Sequence, residues 1–232
     1  MPQQTHPVLI FAAGFGTRMG ALTATRPKPL IEVAGKALLD HALALAEDAG
    51  AAPVVVNLHY LGGQIREHLK HRAGVRFSDE GDRILETGGG LRRALPLLGQ
   101  GPVLTLNSDA VWRGLNPLAA LAAAFDPGRM DALVSLVAQE GAIGHRGAGD
   151  FSLSPGGAIT RGGPWVYTGA QIIRPEALEG IADEVFSMNL VWDRLIAKGR
   201  LSGLIHGGQW CDVGQPQSIA LAEAVLAGPG HG

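Results

Sequence analysis

A glycine-rich loop followed by two cations is the stretch of this sequence with the clearest chemical potential. The segment AAGFGTRMGALTATRPKPL (residues 12–30) places Gly14 and Gly16 after an apolar run, then Arg18, and then Lys28 between two prolines. Glycines let a phosphate approach the backbone closely, and a guanidinium binds phosphate oxygens through paired donors. Because the flanking prolines stiffen the backbone, we expect the lysine ammonium to be held in a defined direction. The segment predicts a phosphate site; a surface loop with incidental charges is the alternative.

The spacing of these glycines argues against two common nucleotide-binding loops. A dinucleotide-binding turn would need a third glycine where this chain has Met19, and an acidic residue where the next apolar strand ends in Asn57. The Walker A pattern G-x-x-x-x-G-K-[ST] does not occur in the sequence either. The loop is therefore expected to hold phosphate in another way.

Two aspartates end apolar runs and are candidate metal ligands. Asp109 closes VLTLNSD, and Asp212 lies in QWCDVG. Ligands of open α/β sheets bind outside the carboxyl ends of the strands, and Mg²⁺ takes one or two protein carboxylates plus phosphate and water. For a single isolated aspartate, a role in a cap or a turn is the better explanation. Combined with Arg18 and Lys28, however, they could bind Mg²⁺ and a triphosphate.

Apolar runs that alternate with helical patterns predict the fold that positions these residues. The expectation is an α/β protein with a mainly parallel, doubly wound, Rossmann-like mixed sheet. Strands are predicted at PVLIFAA, PVVVN, VRFS, GPVLTLNSD, DALVSLV and WVYTGAQII, and a hairpin at GDFSLSPGGAIT. Helices are predicted at LLDHALALAEDAG, YLGGQIREHLKHR, LRRALPLL, PLAALAAAF, LVWDRLIAKG and SIALAEAVLAG. We expect one domain, 1–232, with a nucleotide-binding part to about 140 and a smaller lobe with a closing helix at about 141–232.

The bulk composition argues against several functional classes. The 232 residues carry a net charge of −2 and no run of Lys or Arg, which disfavours a nucleic-acid partner. No apolar stretch reaches the roughly 20 residues of a membrane span, and the N-terminus lacks a signal-peptide pattern. The single cysteine, Cys211, rules out an intrachain disulfide. The sequence predicts a cytoplasmic protein with small-molecule partners, and leaves monomer and dimer both open.

Ordered motifs along most of the chain resemble those of the sugar-1-phosphate nucleotidylyltransferases. FAAGFGTRMGALTATRPKPL is similar to the family signature L-A-A-G-x-G-[TE]-R-[ML]-x-P-L-T followed by P-K-P. ILETGGG, LNSDAVW, YTGAQII and WCDVGQP follow in the family's order, so that the resemblance extends from Phe11 to Pro216. LETGGG and GDF are most similar to members that act on N-acetylmuramate 1-phosphate.

The resemblance implies a fold, a reaction and a role for each matched position. The fold would be GT-A-like with a small β-rich sugar-binding lobe. An NTP, here UTP, and a sugar 1-phosphate would give an NDP-sugar and pyrophosphate, in the service of cell-wall recycling. Arg18 and Lys28 would bind the phosphates, and Asp109 and Asp212 would hold Mg²⁺. Positions implied to border the nucleotide are Ala12, Ala13, Gly14, Gly16, Thr87 and Gly88. Positions implied to line the sugar pocket are Gly149, Asp150, Gly169 and Asn189.

Four positions depart from the family pattern. Ala21 stands where a proline is usual, and Phe15 where some members carry lysine. Ser108 replaces the glycine before the metal-binding acid, which would crowd the ribose or add a hydroxyl contact. Arg161 is the nearest counterpart of a second active-site lysine found in larger relatives. None of these departures removes an implied metal ligand.

Alternative functions on the same fold stay open at this point. Small residues and backbone groups at the base separate UTP from dTTP or GTP poorly, so the substrates could be those of a mannose-1-phosphate guanylyltransferase. A glucose-1-phosphate thymidylyl- or uridylyltransferase and a phosphocholine cytidylyltransferase are further alternatives. A catalytically silent nucleotide-sugar sensor belongs to another class, and the intact Arg18, Lys28, Asp109 and Asp212 argue against it.

Overall fold

A mixed sheet of nine strands carries the glycine-rich loop in the computed structural model, which describes residues 5–228. The strands of the molecule are β1 (Val8–Phe11), β2 (Glu32–Val33), β3 (Lys36–Ala37), β4 (Val54–Leu58), β5 (Val75–Asp79), β6 (Val103–Asn107), β7 (Ala110–Arg113), β8 (Ala132–Ala138), β9 (Ala142–Ile143), β10 (Phe151–Leu153), β11 (Ile159–Arg161), β12 (Trp165–Ile173), β13 (Leu201–Ile205) and β14 (Gln209–Asp212). The helices are α1 (Leu38–Asp48), α2 (Gly62–His68), α3 (Glu86–Leu98), α4 (Pro117–Ala124), α5 (Met188–Ala197) and α6 (Ser218–Ala227).

The order of strands brings three carboxyl ends to one edge of the main sheet. Strands β6, β1, β4 and β5 are adjacent and parallel. Strand β12 runs antiparallel between β6 and β8, and β13 lies parallel to β8. Because Phe11 is in register with Asn107 and Ile10 with Val56, the residues that follow β1, β4 and β6 meet at the same level. That edge is where a ligand of an open α/β sheet is expected.

Helices cover both faces of this sheet, as a doubly wound fold requires. On one face, apolar residues of α1, α2 and α4 such as Leu43, Ile65 and Leu118 pack against the strands. On the other face, α3 and α5 contribute residues such as Leu91 and Val191. The predicted mainly parallel α/β fold is confirmed. None of the helices within residues 5–228 has the length and apolar composition that a membrane crossing requires.

A second, three-stranded sheet places an acidic residue from the end of the chain beside the main sheet. Strand β14 lies between β7 and β9, and Asp212 is in register with Ala110. The outer face of this sheet packs under α6, where Val111, Cys211 and Val225 are buried. The order of the strands thus brings two distant parts of the sequence, around residues 109 and 212, together.

Helix α3 begins earlier than the sequence predicted. The apolar pattern indicated a helix at LRRALPLL, whereas the structure starts α3 at Glu86 and runs it through three glycines. Glycine is intrinsically unfavourable in a helix, so propensity argued against this start. Close packing accounts for it: a Cβ at Gly88 would lie 2.3 Å from the Phe186 ring, and one at Gly89 would lie 2.4 Å from the Glu184 carbonyl oxygen.

The second part of the chain shares the main sheet with the first. The hairpin predicted at GDFSLSPGGAIT is formed by β10 and β11, and β12 spans the WVYTGAQII run. Strands β12 and β13 nevertheless pair with β6 and β8 of the first part. A division of the chain near residue 140 into a nucleotide-binding part and a lobe stays a prediction.

Candidate active site

A cleft of about 290 Å³ opens at the carboxyl ends of β1, β4 and β6. It is lined by Phe11, Ala12, Ala13, Gly14, Gly16, Thr17, Arg18, Lys28, Pro29, Asn57, Glu80, Ile84, Glu86, Thr87, Asn107, Ser108, Asp109 and Gly214. The structure therefore brings together most of the positions that the sequence implied for a nucleotide and its phosphates. We describe the polar lining residues as two groups. Arg18, Lys28 and Asp109 form the first end of the cleft, and neutral side chains with Glu80 and Glu86 form the other end.

The ion pair between Lys28 and Asp109 is the central feature of the first end. Lys28 begins a short 3₁₀ turn after Pro27, and its side chain is only 10% exposed. Its Nζ donates to Oδ2 of Asp109 at 2.8 Å. The fixed backbone before Lys28 and the end of β6 thus hold the two charged groups against each other at the cleft wall.

Asp212 and Arg18 approach this pair from the small sheet and the glycine-rich loop. The N–H of Val213 donates to the carbonyl of Asp109 at 2.9 Å, which joins the two acidic segments. Burial raises the pKa of Asp212, and the Asp109 carboxylate raises it further, while Lys28 and Arg18 oppose the rise. A Cβ at Gly214 would lie 2.9 Å from Asp212 Oδ2 and 3.1 Å from Arg18 Nη1. The absent side chain makes room for both groups.

The two aspartates fit a hard divalent cation rather than a soft one. Within the part of the chain that the structure describes, no group of three or more His, Cys, Asp or Glu side chains could hold a metal ion. Two nearby carboxylates suit Mg²⁺, which fills its other positions with water and phosphate oxygens. Burial raises the pKa of the neighbouring Cys211 thiol to about 11, so a thiolate ligand or nucleophile is not favoured there.

Gly14 and Gly16 serve the loop in different ways. Gly16 has φ +64°, and a Cβ there would lie 2.8 Å from Cβ of Lys28 and 3.1 Å from Cγ2 of Thr23. At Gly14, by contrast, no atom of residues 5–228 outside its chain neighbours lies within 4 Å of an added Cβ. Gly16 therefore allows the loop to pack against Lys28, and Gly14 keeps the cleft open.

This contrast predicts opposite behaviour for two alanine substitutions. Gly16→Ala should destabilise the fold by about 1–3 kcal/mol and reduce turnover, because it strains the backbone and displaces Lys28. Gly14→Ala should leave the thermal unfolding midpoint unchanged while it weakens nucleotide binding, since the methyl group enters the cleft. Thermal melts and nucleotide titrations of the two variants check this. Equal melting losses for both would contradict it.

A hydrogen-bonded chain of buried groups forms the other end of the cleft, and the sequence did not predict it. The N–H of Ala12 donates to Asn57 Oδ1 at 2.6 Å, and Asn57 Nδ2 donates to Glu80 Oε1 at 2.7 Å. The other carboxylate oxygen of Glu80 accepts from the N–H of Leu85 at 2.7 Å. Asn57 and Glu80 belong to the ends of β4 and β5, so the strand-end rule that selected Asp109 could have found them.

The two positions implied at the start of α3 differ in their surroundings. Thr87 lines the cleft, and its hydroxyl accepts from the N–H of Met188 at 2.9 Å. Gly88 lies beyond the cleft wall, and its N–H donates to the Phe186 carbonyl at 2.9 Å. The Phe186 carbonyl also accepts from the next N–H, at Gly89. Two N–H groups at the start of α3 are therefore already bonded to the protein and are not available to a phosphate.

The four positions implied for a sugar lie outside the described lining of the cleft, at varying distances from it. Gly169 is nearest, because a Cβ there would meet Asn107 of the cleft wall at 2.8 Å. Asp150 Oδ2 accepts from the N–H of Tyr167 at 2.8 Å. A Cβ at Gly149 would lie 2.0 Å from the Gly163 carbonyl oxygen, so this glycine packs the hairpin. Asn189, in the first turn of α5, bonds through its N–H to the Ser187 hydroxyl.

Tyr167 connects the first end of the cleft with the side on which Asp150 lies. Burial raises the pKa of Tyr167 far above its usual range, and the Asp150 and Asp109 carboxylates raise it further. Its ring packs against Trp192 at 4.7 Å between centroids. Tyr167 is thus close enough to both Asp109 and Asp150 to be affected by their charges, and the sugar site stays a prediction.

Two of the four departures from the family pattern, Ser108 and Arg161, have hydrogen-bond partners in the structure. The Ser108 hydroxyl donates to the Phe11 carbonyl at 2.6 Å, so it ties β6 to β1. Ala21 is exposed in the 3₁₀ segment Thr17–Thr23. Arg161 donates to Asp193 and to the Asn189 carbonyl and does not line the cleft. Its position joins the hairpin to α5.

Comparisons with known proteins agree with this arrangement. Residues 8–146 match the model of the MobA-like NTP transferase domain. The chain is 41% identical over 240 residues to the N-acetylmuramate alpha-1-phosphate uridylyltransferase of Caulobacter vibrioides, covering 98% of this chain and 99% of that protein. It is 37% identical to the Neisseria meningitidis protein of the same name, over 95% and 97% of the two chains. Its fold matches a UDP-glucose pyrophosphorylase from Acinetobacter baumanii with a TM-score of 0.78, at 15% identity and 95% and 92% coverage.

Proposed function

The chain belongs to the MobA-like NTP transferase domain family and is a sugar-1-phosphate nucleotidylyltransferase, and on that premise we propose that its substrates are UTP and N-acetylmuramate 1-phosphate. The products would be the UDP-sugar and pyrophosphate. Two relatives that match nearly the whole chain carry this name, which favours these substrates over those of the guanylyl- and thymidylyltransferases. An enzyme that consumes UTP would work in the cytoplasm.

The observation that carries the proposal is the Lys28–Asp109 pair, 2.8 Å apart, which lies in the same cleft as the glycine-rich loop. Asp212 is near this pair, although it does not line the cleft. Transfer of a nucleotidyl group needs little covalent work from a protein. It needs the two substrates to be positioned and the charge on the reacting phosphate to be stabilised. A buried lysine, a second cation and two neighbouring carboxylates, one from each sheet, meet that need.

Each of these residues has a definable role in the proposed reaction. An oxygen of the sugar phosphate attacks the α-phosphorus of UTP as the bond to pyrophosphate breaks, and no covalent intermediate forms with the protein. Lys28 neutralises charge on the α-phosphate, and Arg18 binds the departing pyrophosphate through paired donors. Asp109 holds the Lys28 ammonium at the reacting phosphate. Gly14 and Gly16 let the phosphates lie against the loop backbone.

Asp109 and Asp212 are the residues that would hold Mg²⁺. When bound, the ion supplies Lewis-acid stabilisation of the negative charge on phosphoryl oxygens. The two side chains contribute the hard oxygen ligands that this ion prefers. Lys28 and Arg18 oppose the rise that burial gives to the pKa of Asp212.

The test is pyrophosphate release measured over a matrix of substrates with Mg²⁺. UTP, dTTP, GTP, CTP and ATP are each combined with the 1-phosphates of N-acetylmuramate, N-acetylglucosamine, glucose and mannose, and with phosphocholine. Release with UTP and the muramate phosphate alone is expected. Release with another pair would replace the proposed substrates. Silence across the matrix from folded protein would instead favour a nucleotide-sugar sensor, and addition of EDTA tests the metal.

A further inference from the structure

Glu80 is a buried carboxylate at the cleft that the reaction described above does not use. The residue is 5% exposed, although it follows a strand end and lines the cleft. Burial raises its pKa, and the hydrogen bonds from Leu85 and Asn57 oppose the rise. Both bonded donors are neutral amides, so burial of this acid is compensated by hydrogen bonds. Because Glu80 takes no part in the reaction, we looked for another role in its contacts.

The directions of the hydrogen bonds around Glu80 indicate this role. A side-chain amide has a donor end and an acceptor end, and a carboxylate can only accept. Because Glu80 Oε1 accepts from Asn57 Nδ2, the oxygen of that amide must turn the other way, towards the N–H of Ala12. The carboxylate thus dictates the partner of the first residue of the glycine-rich loop.

The same carboxylate also fixes the opposite wall. Its second oxygen accepts from the N–H of Leu85, the residue before α3. Next to it, a Cβ at Gly90 would lie 2.7 Å from Glu80 Oε1 and 3.1 Å from Asn57 Nδ2. The glycine in α3 therefore lets the helix close onto the pair. The ends of β1, β4 and β5 and the start of α3 are all held at this one point.

We propose that Glu80 is a positioning residue for the nucleotide, which acts through Asn57 and Leu85 to set the distance between the two walls that enclose the base. The proposal rests on the nucleotidyltransferase function proposed above. Ala12 and Ala13, which follow β1, and Ile84 and Thr87, on either side of the first residue of α3, all line the cleft. Glu80 controls nucleotide affinity without touching the reacting phosphorus.

A swap of the two side chains separates this role from a general need for stability. Glu80→Gln alone replaces one acceptor by a donor, so one of the N–H groups at Asn57 and Leu85 loses its partner. In the double variant Glu80→Gln with Asn57→Asp, the new amide can donate to the new carboxylate and accept from Leu85. The new carboxylate can also accept from Ala12. Every hydrogen bond is then restored, with the central one reversed.

The experiment measures wild type, each single variant and the double variant by UTP calorimetry, steady-state kinetics and thermal melting. Glu80→Gln should raise the UTP Kd and KM by about tenfold or more, as expected for an unpaired buried donor. It should leave kcat and the KM of the sugar phosphate within about threefold, and the double variant should recover most of the loss. Asp48→Asn, at an exposed position on α1, is the matched control.

The outcomes distinguish this proposal from the proposed function. Unchanged UTP binding in Glu80→Gln, or a loss that the double variant does not recover, would overturn the positioning role. A fall in kcat with unchanged UTP binding would overturn it as well. If Glu80→Gln does not fold, Gly90→Ala, which crowds the same pair, must show the same selective loss of UTP affinity. Calorimetry measures UTP affinity directly, so the role of Glu80 is tested even if the wild type turns over no substrate pair.

Discussion

Asp109→Asn is expected to lower kcat by about a thousandfold, since stabilisation of phosphoryl charge by a metal is worth several kcal/mol. The substitution removes the negative charge that would hold Mg²⁺ and weakens the partner of Lys28, 2.8 Å away. UTP affinity should change much less, because the base site that we propose is formed by other residues of the cleft lining, among them Ala12 and Thr87. Asp212→Asn should act in the same direction.

The measurement combines kcat over a Mg²⁺ titration with UTP binding by calorimetry. Asp48→Asn serves as the control for a lost aspartate charge, because Asp48 is exposed on α1. An equal loss of turnover and of UTP affinity in Asp109→Asn would count against the assignment of a catalytic metal ligand. A thermal melt shows whether loss of the ion pair has altered the fold.

Lys28→Met should lower kcat/KM by about 10²–10³-fold, as loss of one fixed donor at a developing charge usually does. Methionine keeps much of the apolar stem in a site where the lysine side chain is 10% exposed. Lys28→Arg should not restore activity, because the planar guanidinium needs more room and bonds at different angles. The short turn after Pro27, with Gly16 packed on the lysine stem, leaves little freedom to adjust.

Lys70, an exposed lysine that follows α2 and pairs with Glu67, supplies the control variant Lys70→Met, which separates the local effect from the loss of one positive charge. Steady-state kinetics at saturating and at limiting UTP show whether the substitution lowers kcat, kcat/KM or both. Normal turnover in Lys28→Met would remove this lysine from the reaction. A loss confined to the KM of UTP would mean that the lysine binds the ground state and the transition state equally and does not accelerate the chemical step.

Much of the phosphate end of the site could be predicted from sequence because its signals are local. One loop contains Gly14, Gly16, Arg18 and Lys28. Their residue types alone, without the rest of the chain, indicate that they could bind phosphate. The alternation of strands and helices then places Asp109 at the same sheet edge. The fold class followed from the same alternation, and the structure confirms it.

At the end of the cleft held by Glu80, the strand-end rule could have selected the residues, but it could not have predicted the hydrogen bonds between them. Its hydrogen bonds join groups at positions 12, 57, 80 and 85, and they depend on the register of three strands and on the path into α3. The helix start at Glu86 was missed for a related reason. Local propensity disfavours Gly88, whereas the packing against Phe186 that permits it is a contact between residues about a hundred positions apart.

The late position of β14 in the chain has a consequence for the timing of activity during synthesis. Asp212 reaches Asp109 only when β14 pairs with β7, which lies some hundred residues earlier in the sequence. A growing chain on the ribosome has the glycine-rich loop, Lys28 and Asp109 long before it has the second carboxylate. Pairing over such a sequence distance is slow compared with local folding. Under the roles proposed for the two aspartates, turnover therefore depends on this late pairing of β14 with β7, which follows synthesis of every strand of the main sheet.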